Sequence, residues 1–362
     1  MARSLQSIAG SIAGDARHSL AFLNRPPVFS EPLSDNTWDM YSDSLLDMAA
    51  LVYDPDGDPF TYAWTKISGP GTVTFYSPGS AAGEPSFSDP GSYVLRLTVT
   101  DSRGASAYDE ATITVTATAA TIKARLGSRL HWWWEVGVSS ETLNSGNFAQ
   151  LNDYGPAGYH LAQSTAGLQP EKTASGGPNG LDCMTYQDTS RRMLNSSVSL
   201  SSGRFVSSFV VAKGGTLALN LYTWLIQSSS LQPVTELFAP TTAPTKWRVT
   251  SVNSSGTTET VDLTSPAPDT SWHVWEHKYA AAVVPVITVD GAATAPAFST
   301  TSGGTHTIEV GRVGGPGTNQ STGAFLSWQL IENCSDASPG AGLMSERAAM
   351  RDYIHRRTAL PT

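Results

Sequence analysis

The chain has 362 residues and a formal net charge of −9; the length is enough for two domains, or three small ones, with ample material for hydrophobic cores. With 32 Gly, 22 Pro, 10 Trp and only 15% charged residues, the composition favours turn-rich β structure over helical bundles, so an all-β class is expected. The acidic excess is confined to residues 25–117, which hold 13 acidic and 4 basic residues; such a surface works against nucleic-acid binding, which needs clustered Lys and Arg.

The longest apolar run, from Tyr279 to Val289, is interrupted by Pro285 and falls far short of the ~20 residues of a membrane helix, so no membrane span is expected. Cys183 and Cys334 are the two cysteines and form no C-x-x-C pair. Two buried free thiols are the favoured reading, with a single bridge as the alternative.

Residues 1–24 begin with a basic stretch but lack the continuous apolar segment of a secretory signal, so export by that route is not expected. Leu5, Ile8, Ile12 and Leu20 lie near helical spacing, while Gly10 and Gly14 weaken a lone helix by about 1 kcal/mol each. The segment reads as an arm that orders against a partner, with a disordered terminus as the alternative.

Pro26 and Pro27 break that pattern and open a first domain at 25–117. Strands are predicted at 45–53, 61–67, 71–75, 91–101 and 107–116. In the fourth, Tyr93, Leu95, Leu97 and Val99 alternate as one buried face must. Between the first two lies an acidic corner, Asp54-Pro-Asp-Gly-Asp58, followed by the alternating aromatics Phe60, Tyr62 and Trp64. Asp54, Asp56 and Asp58 are candidate metal ligands, for calcium, because hard cations take several oxygens. The loop is not an EF-hand: glycine stands at its fourth position and Thr65 at its twelfth. An Asx-type turn, with the carboxylates bonded to local amides, is the favoured reading.

The corner, then Ser68-Gly-Pro-Gly71, then Pro90-Gly-Ser-Tyr-Val-Leu-Arg-Leu-Thr-Val-Thr-Asp-Ser-Arg-Gly104, resembles the polycystic-kidney-disease (PKD) type of immunoglobulin-like domain over about residues 26–116. That resemblance implies a β-sandwich with Trp64 in its core, used as a spacer or protein-binding module.

A small-residue linker is expected at 118–124, and a second domain at 125–362 opens on Leu130-His-Trp-Trp-Trp-Glu135. Strands are predicted at 205–213, 217–227, 247–252, 259–263, 273–279, 284–289, 305–313 and 324–333. Alternation turns Trp133 away from Trp132 and Trp134; one or two of the three are expected in the core, with any exposed remainder able to stack on a sugar. A helix is predicted from Ser345, capped by Ser345 and lying on the sandwich through Ala349, Met350, Tyr353 and Ile354. It is the one helix expected.

Leu151 to Gln163, Gln169-Pro170, Phe209-Val-Val-Ala-Lys213, Val289-Asp-Gly291 and Ser345 to Ile354 resemble, as an ordered series, the concanavalin A-like, laminin-G-like jelly rolls of bacterial and bacteriophage proteins. The fold implied is all-β: an immunoglobulin-like sandwich, a larger concanavalin A-like jelly roll and a short C-terminal helix.

Some jelly rolls of this class are glycosidases, but the residue patterns of hydrolysis do not occur. There is no Glu-x-Asp-x-Glu run; Glu259 and Asp262, three apart, face opposite sides of a strand. Nor is there a Gly-x-Ser-x-Gly elbow or a phosphate loop. His273-Val-Trp-Glu-His277 matches a zinc-peptidase string, but in a strand the two histidines lie ~13 Å apart, too far for one ion, so both read as surface or interface residues.

The resemblances together imply a non-catalytic bacteriophage virion protein, a capsid decoration or tail accessory, assembled in the host cytoplasm and displayed on the virion surface. Its arm 1–24 would bind other virion proteins, its outward domain would touch host-surface glycans through residues not yet assigned, and it would be a homo-oligomer. The alternatives are a bacterial surface or secreted carbohydrate-binding protein, and a glycan lyase or hydrolase with an unfamiliar site.

Overall fold

The computed structural model describes residues 24–42, 44–46, 48–186, 193–200, 206–214, 221–228, 233–239, 247–252, 258–263, 269–280, 283–294, 304–310, 323–332 and 343–362. The arm, apart from Asn24, lies outside the described residues, as do Cys334 and the ends of several predicted strands at 205, 217–220, 311–313 and 333. The chain divides into two compact units, with the division between Thr118 and Ala119.

The first unit contains β1 (Val28–Glu31), β2 (Asn36–Asp39), β3 (Leu51–Tyr53), β4 (Phe60–Ser68), β5 (Val73–Ser77), β6 (Gly83–Phe87), β7 (Gly91–Asp101) and β8 (Ser106–Thr116). They form a four-stranded sheet in the order β2-β8-β7-β4 and two two-stranded sheets, β1-β3 and β5-β6. The β2–β8 pairing is parallel. The predicted alternation holds on β7, where Tyr93, Leu95, Leu97 and Val99 are fully buried, and Ile113 and Val115 of β8 continue the same core. Trp64 packs on Phe75 at 5.9 Å and donates its indole N–H to the Ser80 carbonyl at 2.9 Å.

The strand predicted at 45–53 is shorter, Leu51–Tyr53. Leu46, Met48 and Ala50 are nonetheless buried alternately, so the pattern there reports burial without a ladder. The expected linker is also different. Residues Ala119–Leu126 form a helix, α1, with Ile122, Arg125 and Leu126 buried. Its small residues have high helix propensity, and two apolar side chains four apart give it a face to bury.

The second unit begins with β9 (Leu130–Glu135) and the short strands Glu141–Asn144, Asn147–Leu151, Leu161–Ala162, Glu171–Thr173 and Cys183–Tyr186 (β10 to β14). Next come Met193–Leu200, Val206–Gly214, Leu221–Ser228, Pro233–Ala239, Trp247–Val252 and Thr258–Leu263 (β15 to β20). His273–Ala280, Val283–Val289, Ala292–Thr294, Gly304–Val310 and Gly323–Glu332 (β21 to β25) complete the strands, and Glu346–Thr358 forms α2. The named strands of this unit pair antiparallel throughout. β16 lies between β21 and β25, and β9 continues that layer beyond β25. The fold class is all-β and sandwich-like, as expected.

Nine consecutive residues of β25, Ala324 to Glu332, are buried, as in a strand covered on both faces. One face is lined by aromatic rings of adjacent strands: Trp132 and Trp134 of β9 stack at 5.1 Å, and Trp328 of β25 meets them edge-on at 5.4 and 5.7 Å. On the other face lies α2, whose Tyr353 meets Trp133 edge-on at 5.1 Å. All three tryptophans of β9 are therefore inaccessible, which corrects the expectation of an exposed one able to stack on a sugar. Alternation alone could not reveal this, because both sides of the strand are occupied. Cys183 is a free, buried thiol, and burial pushes its pKa up to about 11.

Candidate functional site

Two clusters of ionisable side chains stand out, one in each unit. The first is the acidic corner before β4. Asp54 accepts the backbone N–H groups of Asp56 (2.8 Å) and Asp58 (3.1 Å) on one oxygen, and Gly57 donates to the Asp54 carbonyl at 3.2 Å. This is the Asx-type turn read from the sequence. Gly57, with φ +79°, supplies the left-handed step that closes it.

Ligand-capable oxygens of Asp54, Asp56 and Asp58 lie within 4.8 Å of one another. The turn consumes only one oxygen of Asp54. Its other oxygen and Oδ2 of Asp58 are shielded from solvent without a hydrogen bond. Two guanidinium groups supply counter-charge. Arg25 bonds Asp56 at 2.6 and 2.9 Å and holds that carboxyl below the usual range, and Arg103 lies 3.3 Å from Asp58. Both arginine side chains are more than half exposed. The donor set is all oxygen, and Oδ2 of Asp54 has neither a hydrogen bond nor an ion pair, which fits a calcium ion.

The second cluster joins α2 to the sheet. Glu276 on β21 is buried and receives Arg347 Nε at 3.0 Å, Arg351 Nε at 2.9 Å and Arg351 Nη2 at 3.0 Å; the Arg347 guanidinium is itself buried. Glu135, at the end of β9, accepts from Trp133 Nε1 (2.7 Å), Tyr353 Oη (3.1 Å), Gln329 Nε2 (3.3 Å) and the Arg357 guanidinium. Burial raises the Glu135 pKa, against the pull of Arg357 and these donors. Ser345 caps the helix by accepting from Ala348 N at 3.2 Å, and Ala349, Met350, Tyr353 and Ile354 are buried as the sequence implied. Arg347 was missed. In the first turn of a helix, an arginine reads as a solvent residue, and its buried partner is 71 residues away.

His273 and His277 lie on one face of β21, as the strand reading required. Both are buried, which corrects their placement at a surface. The reason is position, since β21 is an interior strand between β16 and β22. His273 bridges Asp290 (2.6 Å) and Asp269 (2.9 Å); burial opposes its charge, but the two carboxylates outweigh it and raise its pKa. Burial lowers the His277 pKa to about 4, so that ring is neutral at physiological pH.

Asp153, in the stretch compared with jelly-roll domains, organises the turn beside β9. It accepts from Trp133 N (2.8 Å), Gly155 N (2.7 Å) and Tyr159 N (3.1 Å).

The first unit, with its Asx corner leading into β4 and its long β7–β8 hairpin, also matches a known family. Residues 43–115 fit the model of a family described as a PKD domain. The first unit is thus similar to PKD-type domains over those residues. The matched residues fall within the span 26–116 on which the resemblance was read.

No curated protein matches the chain in sequence. Among solved structures, the chain is similar to a nucleoside hydrolase-related hypothetical protein from Saccharophagus degradans, described as associated with carbohydrate metabolism. The two are 24% identical over 26% of this chain and 27% of that one, with a TM-score of 0.24. It is also similar to the binding domain of botulinum neurotoxin serotype D, at 9% identity over 65% of this chain and 53% of that one (TM-score 0.42). A serotype D ligand binding domain in complex with N-acetylneuraminic acid is 9% identical over 58% of this chain and 49% of that one (TM-score 0.38). The chain spans about half or less of the length of these structures.

Proposed function

We propose that this chain is a non-catalytic structural and adhesion protein of a tailed-bacteriophage virion, a capsid decoration or tail accessory. In this reading the arm 1–24 attaches it to other virion proteins, the PKD-type domain is a spacer or docking module, and the second unit faces outward as the adhesion domain on the virion surface. The observation that carries the reading is how the second unit uses its reactive side chains. Glu135 and Glu276 are bound to arginines of α2, and His273 is bound by two aspartates, so these groups hold the sandwich together. The pairing of a PKD-type domain with a second β-sandwich supports a display role, and the jelly-roll resemblance supplies the phage context.

The test is the protein composition of gradient-purified particles. Peptides from both units are expected in them, and deletion of residues 1–24 is expected to remove the chain from the particles while leaving it folded. Its absence from particles, with retention at a bacterial surface, would replace this reading with the surface carbohydrate-binding alternative.

The same reading gives the acidic corner a structural calcium ion that stiffens the spacer. At a calcium concentration one hundred times Kd, binding would add about 2.7 kcal/mol to the first unit. The thermal midpoint of that unit is expected to rise in calcium relative to chelator. Equal midpoints would leave the Asx turn and the two arginines as the corner's whole content.

A further inference from the structure

The outward face of the β2-β8-β7-β4 sheet carries features that neither the spacer nor the adhesion role uses. On β8 the side chains of Tyr108, Glu110, Thr112 and Thr114 alternate outward, opposite the buried Ala111, Ile113 and Val115, at steps of about 6.8 Å. Tyr108 is 61% exposed, more than any other large apolar or aromatic side chain among the described residues. Its ring is held in place: the Arg96 guanidinium carbon lies 4.1 Å from the ring centroid, and Arg96 is fixed in turn by Glu110 at 2.8 Å. The ring is thus a rigid exposed platform, ordered before any ligand arrives.

Farther along the same face, a pocket of about 280 Å³ opens between β2 and β8, lined by Asp35, Asn36, Thr37, Thr112 and Thr114. Its floor is fixed, because Asp35 accepts the Thr112 N–H at 2.7 Å and Thr37 pairs in register with Thr114. Every lining residue is polar, and none is basic. Hydroxyls and an amide both donate and accept, and a carboxylate accepts. An aromatic plate and a pocket of mixed donors and acceptors, in one line, match the alternating C–H faces and hydroxyls of a sugar chain. Charge decides which kind. The segment 25–117 carries the chain's acidic excess, and the Arg96–Glu110 pair is self-neutralised, so the face repels uronate, sialic and phosphorylated glycans.

We propose that this face of the PKD-type domain binds a neutral linear polysaccharide, with Tyr108 as the stacking platform and the Asp35 to Thr114 pocket as the hydrogen-bonding end. The proposal is independent of virion attachment and places a glycan contact in the first unit.

The test is native affinity electrophoresis of the full chain through gels containing laminarin, galactomannan or uronate-free arabinoxylan, with alginate as the anionic control. Retardation by at least one neutral polymer and none by alginate is expected. Tyr108→Ala should weaken it at least tenfold, Tyr108→Trp should retain it, and Thr37→Val should weaken it several-fold. Circular dichroism checks that each variant is folded, and Tyr108→Trp controls for a folding defect at the site. No retardation by any of the three neutral polymers would overturn the proposal, as would retardation only by alginate. Binding that survives Tyr108→Ala unchanged would also overturn it and assign the contact elsewhere, and virion incorporation, measured separately, would be untouched by either outcome.

Discussion

Glu276→Ala is expected to destabilise the second unit by about 3–5 kcal/mol, because it strands the buried Arg347 guanidinium without a counter-charge. Arg351 also loses its partner, but its side chain is 28% exposed and water can replace part of that bond. For a unit of this size the loss corresponds to a fall of roughly 10 °C in midpoint. Calorimetry of the full chain is the suitable measurement, since a two-unit protein has no single midpoint and only one of two transitions should move. The double variant Glu276→Leu with Arg347→Met is expected to recover most of the loss, because an apolar pair of similar volume avoids the desolvation of two ions. A single-variant cost below about 1 kcal/mol would mean that α2 is held by its apolar face alone.

In the first unit, Trp64→Ala is expected to cost about 3–5 kcal/mol, through the cavity left against Phe75 and the lost bond to Ser80. That is a large part of the roughly 5–15 kcal/mol typical of a whole domain, so the first transition should fall steeply or vanish at about 37 °C. Gly83 offers a sharper check. Its φ is +69°, and a Cβ there would lie 2.7 Å from Cε2 and Nε1 of the Trp64 indole. Gly83→Ala alone therefore combines a left-handed backbone penalty of about 1–2 kcal/mol with a collision. In the Trp64→Ala background the collision disappears and only the backbone penalty remains. The two substitutions should fall short of additivity by about 1 kcal/mol or more, and strict additivity would mean that the indole moves aside freely.

Much of the first unit was legible because one face of its main sheet is buried and the other exposed. In β7 the alternation of Tyr93, Leu95, Leu97 and Val99 both located the strand and named its core. The Asx corner was equally legible, since an Asp that bonds amides two and four residues ahead needs only local chain. The same logic failed at 45–50, where burial alternates without a pairing strand, and at Ala119–Leu126, where a run of small residues read as a hinge is packed as a helix. The outward row along β8 was also missed, because threonine alternation reads as ordinary solvent exposure until the pocket beside Asp35 is seen.

The second unit was harder to read for a related reason. β9 and β25 are buried on both faces, so periodicity cannot say which of Trp132, Trp133 and Trp134 is inside; all three are. The sequence by itself determined what depends on near neighbours: the all-β class, the Asx turn at Asp54, the Ser345 cap and the apolar face of the last helix. Tertiary structure alone decided what depends on distant partners. It buried His273 and His277, and it gave Glu135 three of its donors 194 to 222 residues away and Glu276 its arginines 71 and 75 residues away. A charged side chain enters a core only when such a partner meets it there, and no local pattern of residues encodes that meeting.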